Sequence, residues 1–259
     1  MDRPNVASVE PGRVLDVFGS ICDRAAQLLA DNDDWTMSGD RETQYAVDVR
    51  IDHMCLDSLH GAGYSVLSEE SGITGPSSAV RPDAIVIVDP LDGSTNAALG
   101  LPWCATALCL VIDGVPEVAM VTNLRTGTRF SAVRGAGATR DGRSIDVGAD
   151  RTLADAVIAV NARPPESFRP AQFRSTGSTA LDIASVASPH GFDGTVDFDE
   201  GMIGVWDYLA AVLILEEAGG VASDALGRDL VTLHPGERRR PVTATSTALL
   251  DELLAACDS

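Results

Sequence analysis

Apolar residues recur at helical spacing over residues 10–31, and intervals of three and four place them on one face of a predicted amphipathic helix. That stripe comprises Val14, Leu15, Phe18, Ile21, Cys22, Ala25, Leu28 and Leu29. A second helix is predicted from about residue 43 to residue 60, and Gly61 and Gly63 would end it. Its inward residues would be Val47, Ile51, Met54, Cys55 and Leu59.

Short β-rich runs follow in the first half of the chain. Residues 84–88, AIVIV, form a continuous apolar run that is typical of a strand buried on both faces, and we expect it to stop at Asp89-Pro90. Further strands are predicted at 64–67, twice within 103–120 around Asp113-Gly114, and twice within 128–139 around Gly135. The first half should therefore contain helices followed by a mainly antiparallel sheet.

Strands and helices alternate in the second half. Strands are predicted at 156–160, 195–198 and 241–245, and helices at 178–187, at 205–218 and after a capping Ser246. Such alternation is an α/β pattern. A polar segment near 140–155 predicts a boundary between an N-terminal α+β half, residues 1–145, and a C-terminal α/β half, residues 146–259.

Net charge narrows the classes of function. The 259 residues include 38 acidic and 19 basic side chains, no lysine, and a formal charge of -19. So acidic a surface disfavours nucleic acid and anionic membranes as partners. It would also repel a phosphorylated substrate unless bound cations neutralised the site.

Cysteine usage and the N-terminal residues bear on localisation. The five cysteines form no CxxC pair, which indicates reduced thiols rather than a disulfide framework. Residues 1–12 lack the apolar core of a signal peptide, and apolar runs such as 208–215 are far shorter than the ~20 residues of a membrane helix. We therefore expect a cytoplasmic protein.

Carboxylates stand at the ends of predicted elements in three separate segments. These segments are LSEESG at 67–72, DPLDGSTN at 89–96 and GVWD at 204–207. In the central segment, Pro90 would turn the chain so that Asp92 and the Leu91 carbonyl converge with Asp89. Oxygen ligands of this kind suit Mg²⁺. Each segment alone is common as a turn, a loop or a helix cap, but together they predict a metal site.

On these motifs the chain resembles the inositol monophosphatase family, within the lithium-sensitive, metal-dependent phosphatases, over roughly residues 12–257. The family's signatures stand here as DPLDGS at 89–94, EES at 69–71, Trp206-Asp207, and EAGG at 217–220. The resemblance implies a five-layer α-β-α-β-α sandwich of the inositol monophosphatase and fructose-1,6-bisphosphatase type. It also implies a homodimer and inhibition by Li⁺.

The resemblance further implies two Mg²⁺ ions per chain, or three, and a role for each matching residue. Glu69, Asp89 and the Leu91 carbonyl would bind the first ion, and Asp89, Asp92 and Asp207 the second. The catalytic pair would be Ser94 and Asp48. The Ser94 hydroxyl would contact the attacking water, and Asp48 would orient that hydroxyl. The implied substrate-binding residues are Asp92, Gly93, Ser94, Thr95, Gly177, Ser178, Thr179, Glu200 and Asp207.

Two positions depart from the family pattern near Asp48. Met37 stands where the family has a lysine, and Val47 where it has a threonine. These changes bear on whether a third metal binds.

The activity implied is Mg²⁺-dependent hydrolysis of a small sugar or polyol phosphate, with inositol-1-phosphate as the first expectation. Alternatives within the same class are fructose-1,6-bisphosphate, histidinol phosphate and 3′-phosphoadenosine nucleotides. A non-catalytic, metal-binding regulatory relative is the alternative from another class.

Overall fold

A computed structural model describes residues 10–39, 44–76, 83–199, 201 and 203–257. Its α-helices are α1 (Pro11–Ala30), α2 (Ala46–Gly61), α3 (Ser94–Ala98), α4 (Thr179–Val186), α5 (Val205–Glu217) and α6 (Thr247–Cys257). The first strands are β1 (Ser65–Ser68), β2 (Gly72–Thr74), β3 (Ala84–Asp92), β4 (Ala105–Ile112), β5 (Val115–Asn123), β6 (Arg129–Val133), β7 (Gly137–Arg140) and β8 (Arg143–Ile145). The later strands are β9 (Val157–Asn161), β10 (Gln172–Arg174), β11 (Gly194–Asp197), β12 (Val221–Asp224) and β13 (Pro241–Ala244).

The strands form two sheets. The first has the order β2-β1-β3-β4-β5-β6-β7-β8 and is antiparallel except for the parallel pair β1 and β3. The second has the order β10-β9-β11-β13-β12, in which β10, β9 and β11 run parallel and β13 is antiparallel to both of its neighbours. Each sheet therefore contains parallel strands whose carboxyl ends share one edge, where ligands of α/β proteins bind.

Helices and sheets stack in five layers. Helices α1 and α2 cover one face of the first sheet, and α4 and α5 lie between the two sheets. Helix α6 covers the far face of the second sheet. The predicted α-β-α-β-α sandwich is confirmed. None of the described helices is both long enough and apolar enough to cross a membrane.

The predicted division after residue 145 falls between the sheets, since β8 ends at Ile145 and β9 begins at Val157. Helix α5 nevertheless packs against strands of both sheets, so one core joins the two halves. The assignment of separate domains stays a prediction.

The strand that carries Asp89 does not stop there, contrary to our expectation. Strand β3 continues to Asp92, and its register against β4 shifts between Asp89 and Asp92. Proline is tolerated at such a bulge because the ladder is interrupted there and does not require the N–H that proline lacks. The Pro90 carbonyl instead accepts a hydrogen bond from Thr106 Oγ1 at 2.7 Å. The bulge therefore presents both aspartates at one end of a continuous strand.

Candidate metal centre and active site

Glu69 and Asp89 are placed by two neighbouring parallel strands. Because Ser68 pairs with Val88 in the β1–β3 ladder, the next residue of each strand emerges at the same edge. The Glu69 N–H donates to the Val88 carbonyl at 3.3 Å, which fixes the turn after β1. Asp89 is 1% exposed, and its Oδ1 accepts a hydrogen bond from the Leu91 N–H at 3.1 Å.

Asp207 reaches the same point from the first turn of α5. Its Oδ2 accepts a hydrogen bond from the Gly204 N–H at 2.6 Å, which caps the helix and fixes the carboxylate. One carboxylate oxygen each from Glu69, Asp89 and Asp207 lies within 4.8 Å of the others. Three of the four carboxylates predicted as metal ligands therefore converge at one place.

Asp92 lies beside this triplet and is held by α4. Its Oδ2 accepts hydrogen bonds from Ser178 Oγ at 2.5 Å and from the Ala180 N–H at 2.8 Å. A helix N-terminus is a favourable place for an anionic group. Asp92 is thus anchored by a segment more than eighty residues away in the chain.

One cavity of about 140 Å³ joins these groups. It is lined by Gln44, Asp48, Glu69, Glu70, Asp89, Leu91, Asp92, Gly93, Ser94 and Asp207. Both predicted catalytic residues, Asp48 and Ser94, therefore face the same space as the predicted ligands.

The hydrogen bonding of Asp48 differs from the role predicted for it. Its Oδ2 accepts a hydrogen bond from the Tyr45 N–H at 2.8 Å, as part of the N-terminal capping of α2. Its Oδ1 is buried and has no hydrogen-bond partner among the described residues, so the structure has no hydrogen bond from Ser94 to that atom. The free Oδ1 remains available to a group that enters the cavity.

Burial and mutual repulsion raise the pKa values of the carboxyl groups in this cluster. Desolvation, followed by the charges of Glu70 and Asp92, raises the pKa of Glu69 to about 7. Desolvation raises the pKa of Asp92 to about 6 and that of Asp48 to about 7, although hydrogen bonds oppose both shifts. The pKa values of Asp89 and Asp207 lie well above the usual range for the same reason, desolvation first and neighbouring carboxylates second.

These properties fit a hard divalent cation. The donor set consists of carboxylate oxygens, which Mg²⁺ prefers. Asp89 Oδ2 and Asp48 Oδ1 are both buried, and neither has a hydrogen-bond partner among the described residues. Buried carboxylates that lack a counter-charge are costly, and a bound cation would supply one.

The predicted substrate-side residues do not all face the cavity. Gly93 and Ser94 line it, whereas Thr95 is exposed on α3. The Ser178 hydroxyl is turned onto Asp92, and Gly177, at φ +85°, packs against Asn96. Thr179 lines a separate, smaller cavity, and Glu200 lies outside the described residues.

Two residues near the carboxylates were not predicted from the sequence. Gln44 lines the cavity, donates to Glu70 and accepts from Ser38 Oγ. Asp52 of α2 accepts hydrogen bonds from Ser68 Oγ and from the Ser71 hydroxyl, so it holds the turn that carries Glu69. A neutral amide in a loop and an acid within a helix give no pattern that would mark them in a single sequence.

Asp197 is a third residue that was missed. It ends β11, is 4% exposed, and its Oδ2 has no hydrogen-bond partner among the described residues. It lines a cavity of about 20 Å³ together with Asn161 and Thr179. Since the carboxyl ends of β9 and β11 meet there, Asp197 stands where a parallel sheet presents ligand-binding groups.

The two departures near Asp48 fall in different environments. Met37 is 55% exposed and pairs with Tyr45 in an isolated β-bridge, whereas Val47 is fully buried in α2. Neither lines the metal cavity, and neither side chain has an oxygen atom that could bind a metal ion or its water.

Comparison with known proteins gives a consistent result. The model of the inositol monophosphatase family matches residues 12–258. The Nus factor SuhB of Escherichia coli K12 is 32% identical over 199 residues, which cover 70% of this chain and 71% of that protein. The inositol-1-monophosphatase of Rhizobium meliloti is 37% identical over 181 residues, 63% of this chain and 64% of that protein.

The fold also matches solved structures. The extragenic suppressor protein SuhB from Bartonella henselae superimposes with a TM-score of 0.80 at 25% identity, over 95% of this chain and 99% of that one. The likeness therefore extends over both sheets and the helices between them.

Proposed function

The chain belongs to the inositol monophosphatase family, whose members hydrolyse phosphoric monoesters, and on that premise we propose that it is a Mg²⁺-dependent phosphatase of small phosphorylated polyols or sugars. Inositol-1-phosphate is the first substrate to test. The observation that carries this proposal is the convergence of Glu69, Asp89 and Asp207 within 4.8 Å.

Two Mg²⁺ ions per chain are proposed, with the ligands that the family resemblance implies. Glu69, Asp89 and the Leu91 carbonyl would hold the first, and Asp89, Asp92 and Asp207 the second. When bound, the ions would offset the negative charge of substrate and reaction and would acidify the attacking water. None of the described residues that line the cavity is basic, so a bound cation is the source of positive charge that this proposal requires.

The chain's own residues would position the reacting groups. Ser94 would hold the attacking water by its hydroxyl, and Asp48 would orient that hydroxyl or accept its proton through the unpartnered Oδ1. In the metal-free protein, desolvation raises the pKa of Asp48 to about 7, and bound cations would lower it and favour the carboxylate that accepts a hydrogen bond. Backbone N–H groups of Gly93, Ser94 and Thr95 would receive the phosphate oxygens.

On the substrate side, Asp197 is a second acid to consider beside Glu200. Its buried Oδ2 has no partner among the described residues and lines a cavity next to Thr179 of about 20 Å³, which has room for a hydroxyl group or a water. Glu200, implied by the family resemblance, stays a proposal.

The alternatives differ in what they would need from the same site. Bisphosphates, histidinol phosphate and 3′-phosphoadenosine nucleotides share the metal core and differ in groups beyond the phosphate. A non-catalytic regulatory role is suggested by the Nus factor name of the Escherichia coli relative. The presence in one cavity of Asp48 and Ser94, which metal binding alone does not need, favours catalysis.

A phosphomonoester panel with and without Mg²⁺ tests the proposal. Asp92→Asn should abolish Mg²⁺-dependent phosphate release while leaving the fold intact. Asp113→Asn, in the β4–β5 turn at φ +52°, is the matched control and should keep full activity. Full activity in Asp92→Asn, or no turnover of any phosphomonoester by the Mg²⁺-loaded protein, would refute the assignment.

Two further measurements address inhibition and oligomeric state. Activity with and without Li⁺ tests the expected inhibition, and light scattering tests the expected homodimer. Leu99 and Leu101, which follow α3 and are 70% and 46% exposed, are candidates for a surface that a second copy covers.

A cytoplasmic location is likewise a proposal, consistent with cysteines that are all free.

A further inference from the structure

Asp182 is a buried carboxylate that does not line the metal cavity but lines the smaller cavity beside Thr179 and Asp197. It lies in the first turn of α4 and is 7% exposed. Its Oδ1 accepts two hydrogen bonds, one from Trp103 Nε1 at 2.8 Å and one from the Thr176 hydroxyl. One oxygen atom thereby ties together two loops that are distant in sequence.

Asn96 ties the same two loops a second time. Its side-chain amide donates to the Trp103 carbonyl at 2.8 Å and to the Thr176 carbonyl at 2.7 Å. Asn96 belongs to α3, which begins directly after the Gly93 turn. The turn at the metal site, the Trp103 segment and the Thr176 segment are therefore bound to one another through Asn96 and Asp182.

The segments are also in close steric contact. A Cβ at Gly93 would lie 3.0 Å from the Gly177 carbonyl oxygen and 3.0 Å from that of Trp103. A Cβ at Gly177 would lie 3.1 Å from Asn96 Nδ2. Because the segments pack so closely, a small shift of one would disturb the others, and the hydrogen bonds of Asn96 and Asp182 hold them at one relative position.

The segment that Asp182 holds leads directly to a predicted metal ligand. Ser178 follows Thr176 by two residues and donates to Asp92 Oδ2, and the Ala180 N–H donates to the same atom. Displacement of the Thr176–Ser178 segment would move both the hydroxyl and the start of α4. Asp182 is therefore two hydrogen-bonded steps from Asp92 and touches neither the metal cavity nor the reacting atoms.

We propose that Asp182 is a positioning residue, which fastens the Thr176–Ser178 segment to Trp103 and so sets the orientation of Asp92 at the metal site. The proposal rests on the proposed function, since it concerns the same site. Groups that orient metal ligands typically change metal affinity or activity about 10- to 100-fold when removed. Asp182 acts through geometry, so the acceptor atom matters and the negative charge does not.

Two substitutions separate geometry from charge. Asp182→Asn keeps an Oδ1 that can accept from both Trp103 Nε1 and Thr176 Oγ1, whereas Asp182→Ala removes the acceptor. With p-nitrophenyl phosphate, we expect Asp182→Ala to lower kcat about 10- to 100-fold and to weaken Mg²⁺ binding by a similar factor, with KM changed far less. Asp182→Asn should restore kcat and the Mg²⁺ dissociation constant to within about threefold of the wild type.

Thermal unfolding must accompany these assays, because a purely structural role would lower only the melting temperature. An Asp182→Ala protein that is folded at the assay temperature and retains wild-type kcat and Mg²⁺ affinity overturns the proposal. So does a folded Asp182→Asn protein that is as impaired as Asp182→Ala.

Further variants keep the proposal testable if Asp182→Ala does not fold. Thr176→Val and Trp103→Phe each remove one donor to Asp182, and each should weaken Mg²⁺ binding; wild-type values in both overturn the proposal. Calorimetric titration measures the Mg²⁺ dissociation constant without turnover, so it tests the positioning role even if no phosphomonoester is hydrolysed. In that event the proposed function fails, while weaker Mg²⁺ binding in Asp182→Ala still supports the role of Asp182 and unchanged binding refutes it.

Discussion

The Ser178 hydroxyl lies 2.5 Å from Oδ2 of Asp92 and donates a hydrogen bond to it across the interface between the first sheet and α4. The family resemblance assigned Ser178 to substrate binding, but its hydroxyl is already used by Asp92. The contact makes the two halves of the chain interdependent at the metal site.

Loss of this hydroxyl should therefore weaken the metal site more than it weakens the fold. We expect Ser178→Ala to reduce Mg²⁺ affinity or kcat about 10- to 100-fold, because Asp92 then keeps only backbone donors at the start of α4, among them the Ala180 N–H. Mg²⁺ titration by calorimetry and initial rates provide the measurement. Ser131→Ala, which removes a hydroxyl that pairs with Thr139 on β6 and β7, is the control. Equal values for Ser178→Ala and wild type would contradict the prediction.

Gly93 offers a test of how closely the loops pack at the site. Gly93 and Gly100 both have positive φ, +79° and +74°, so alanine at either position costs about 1–2 kcal/mol of backbone strain. A Cβ at Gly100 meets nothing within 4 Å, whereas one at Gly93 meets two carbonyl oxygens at 3.0 Å. Gly93→Ala should therefore lower the free energy of unfolding by more than Gly100→Ala and should also abolish activity. Urea unfolding and phosphate release measure the two effects, and similar losses in both variants would argue against the close packing.

Mg²⁺ binding should strengthen as pH rises. Metal binding requires deprotonated carboxylates, and protons compete for them. Desolvation raises the metal-free pKa of Asp92 to about 6 and that of Glu69 to about 7, so both compete near neutrality. We expect the Mg²⁺ dissociation constant to fall steadily from about pH 6 upward and proton release to accompany binding. Calorimetry in two buffers of different ionisation enthalpy measures that release, and a pH-independent constant would exclude the mechanism.

The fold followed from the sequence wherever an element was long or its period clear. The stripe on α1, the buried run of β3 and the turn at Asp113-Gly114 all lie where the apolar pattern placed them. Strands β2, β8, β10 and β12 were missed because each is short and lies at an edge of its sheet, whereas the equally short β1, β11 and β13 are largely buried and gave an apolar run. Edge positions also relax the demand for apolar residues, as at β10, where all three residues are exposed.

The site was predicted to the level of residue type and element, but not to the level of contacts. Glu69 and Asp207 stand where an element ends or begins, a position that the sequence reveals, whereas Asp89 joins them from the bulge within β3. The hydrogen bonds from Ser178 to Asp92 and from Trp103 to Asp182 join residues about eighty positions apart. Pairings at such separation depend on how the two sheets and α4 pack, and one sequence considered alone holds no trace of them.

Asp182 should also set part of the pH dependence of stability. Desolvation raises its pKa from 3.8 to about 7, against the hydrogen bonds from Thr176 and Trp103. A raised carboxyl pKa means that the folded state binds more protons than the unfolded state between these two values. Stability from this group is therefore present below about pH 4 and is lost as pH rises toward about 7. In metal-free protein, Asp182→Asn should flatten the fall of melting temperature with pH over that window; an unchanged slope would contradict the assignment.

Asp89→Asn should separate metal binding from intrinsic stability, since Asp89 has a buried oxygen without a donor and two neighbouring carboxylates. Asparagine can still accept from the Leu91 N–H but carries no charge, so repulsion and desolvation within the metal-free cluster should both decrease.

We therefore expect the metal-free Asp89→Asn protein to melt at a higher temperature than metal-free wild type at pH near 8. The free energy of unfolding of wild type should instead rise by about 2.7 kcal/mol when Mg²⁺ is present at about 100 times its dissociation constant. That gain corresponds to a rise of roughly 5–10 °C for a chain of this size. The variant should show almost no rise, and Asp113→Asn should behave as wild type in both conditions. A variant that melts lower than wild type without metal, or that is stabilised by Mg²⁺ as strongly, would show that Asp89 is a structural carboxylate rather than a metal ligand.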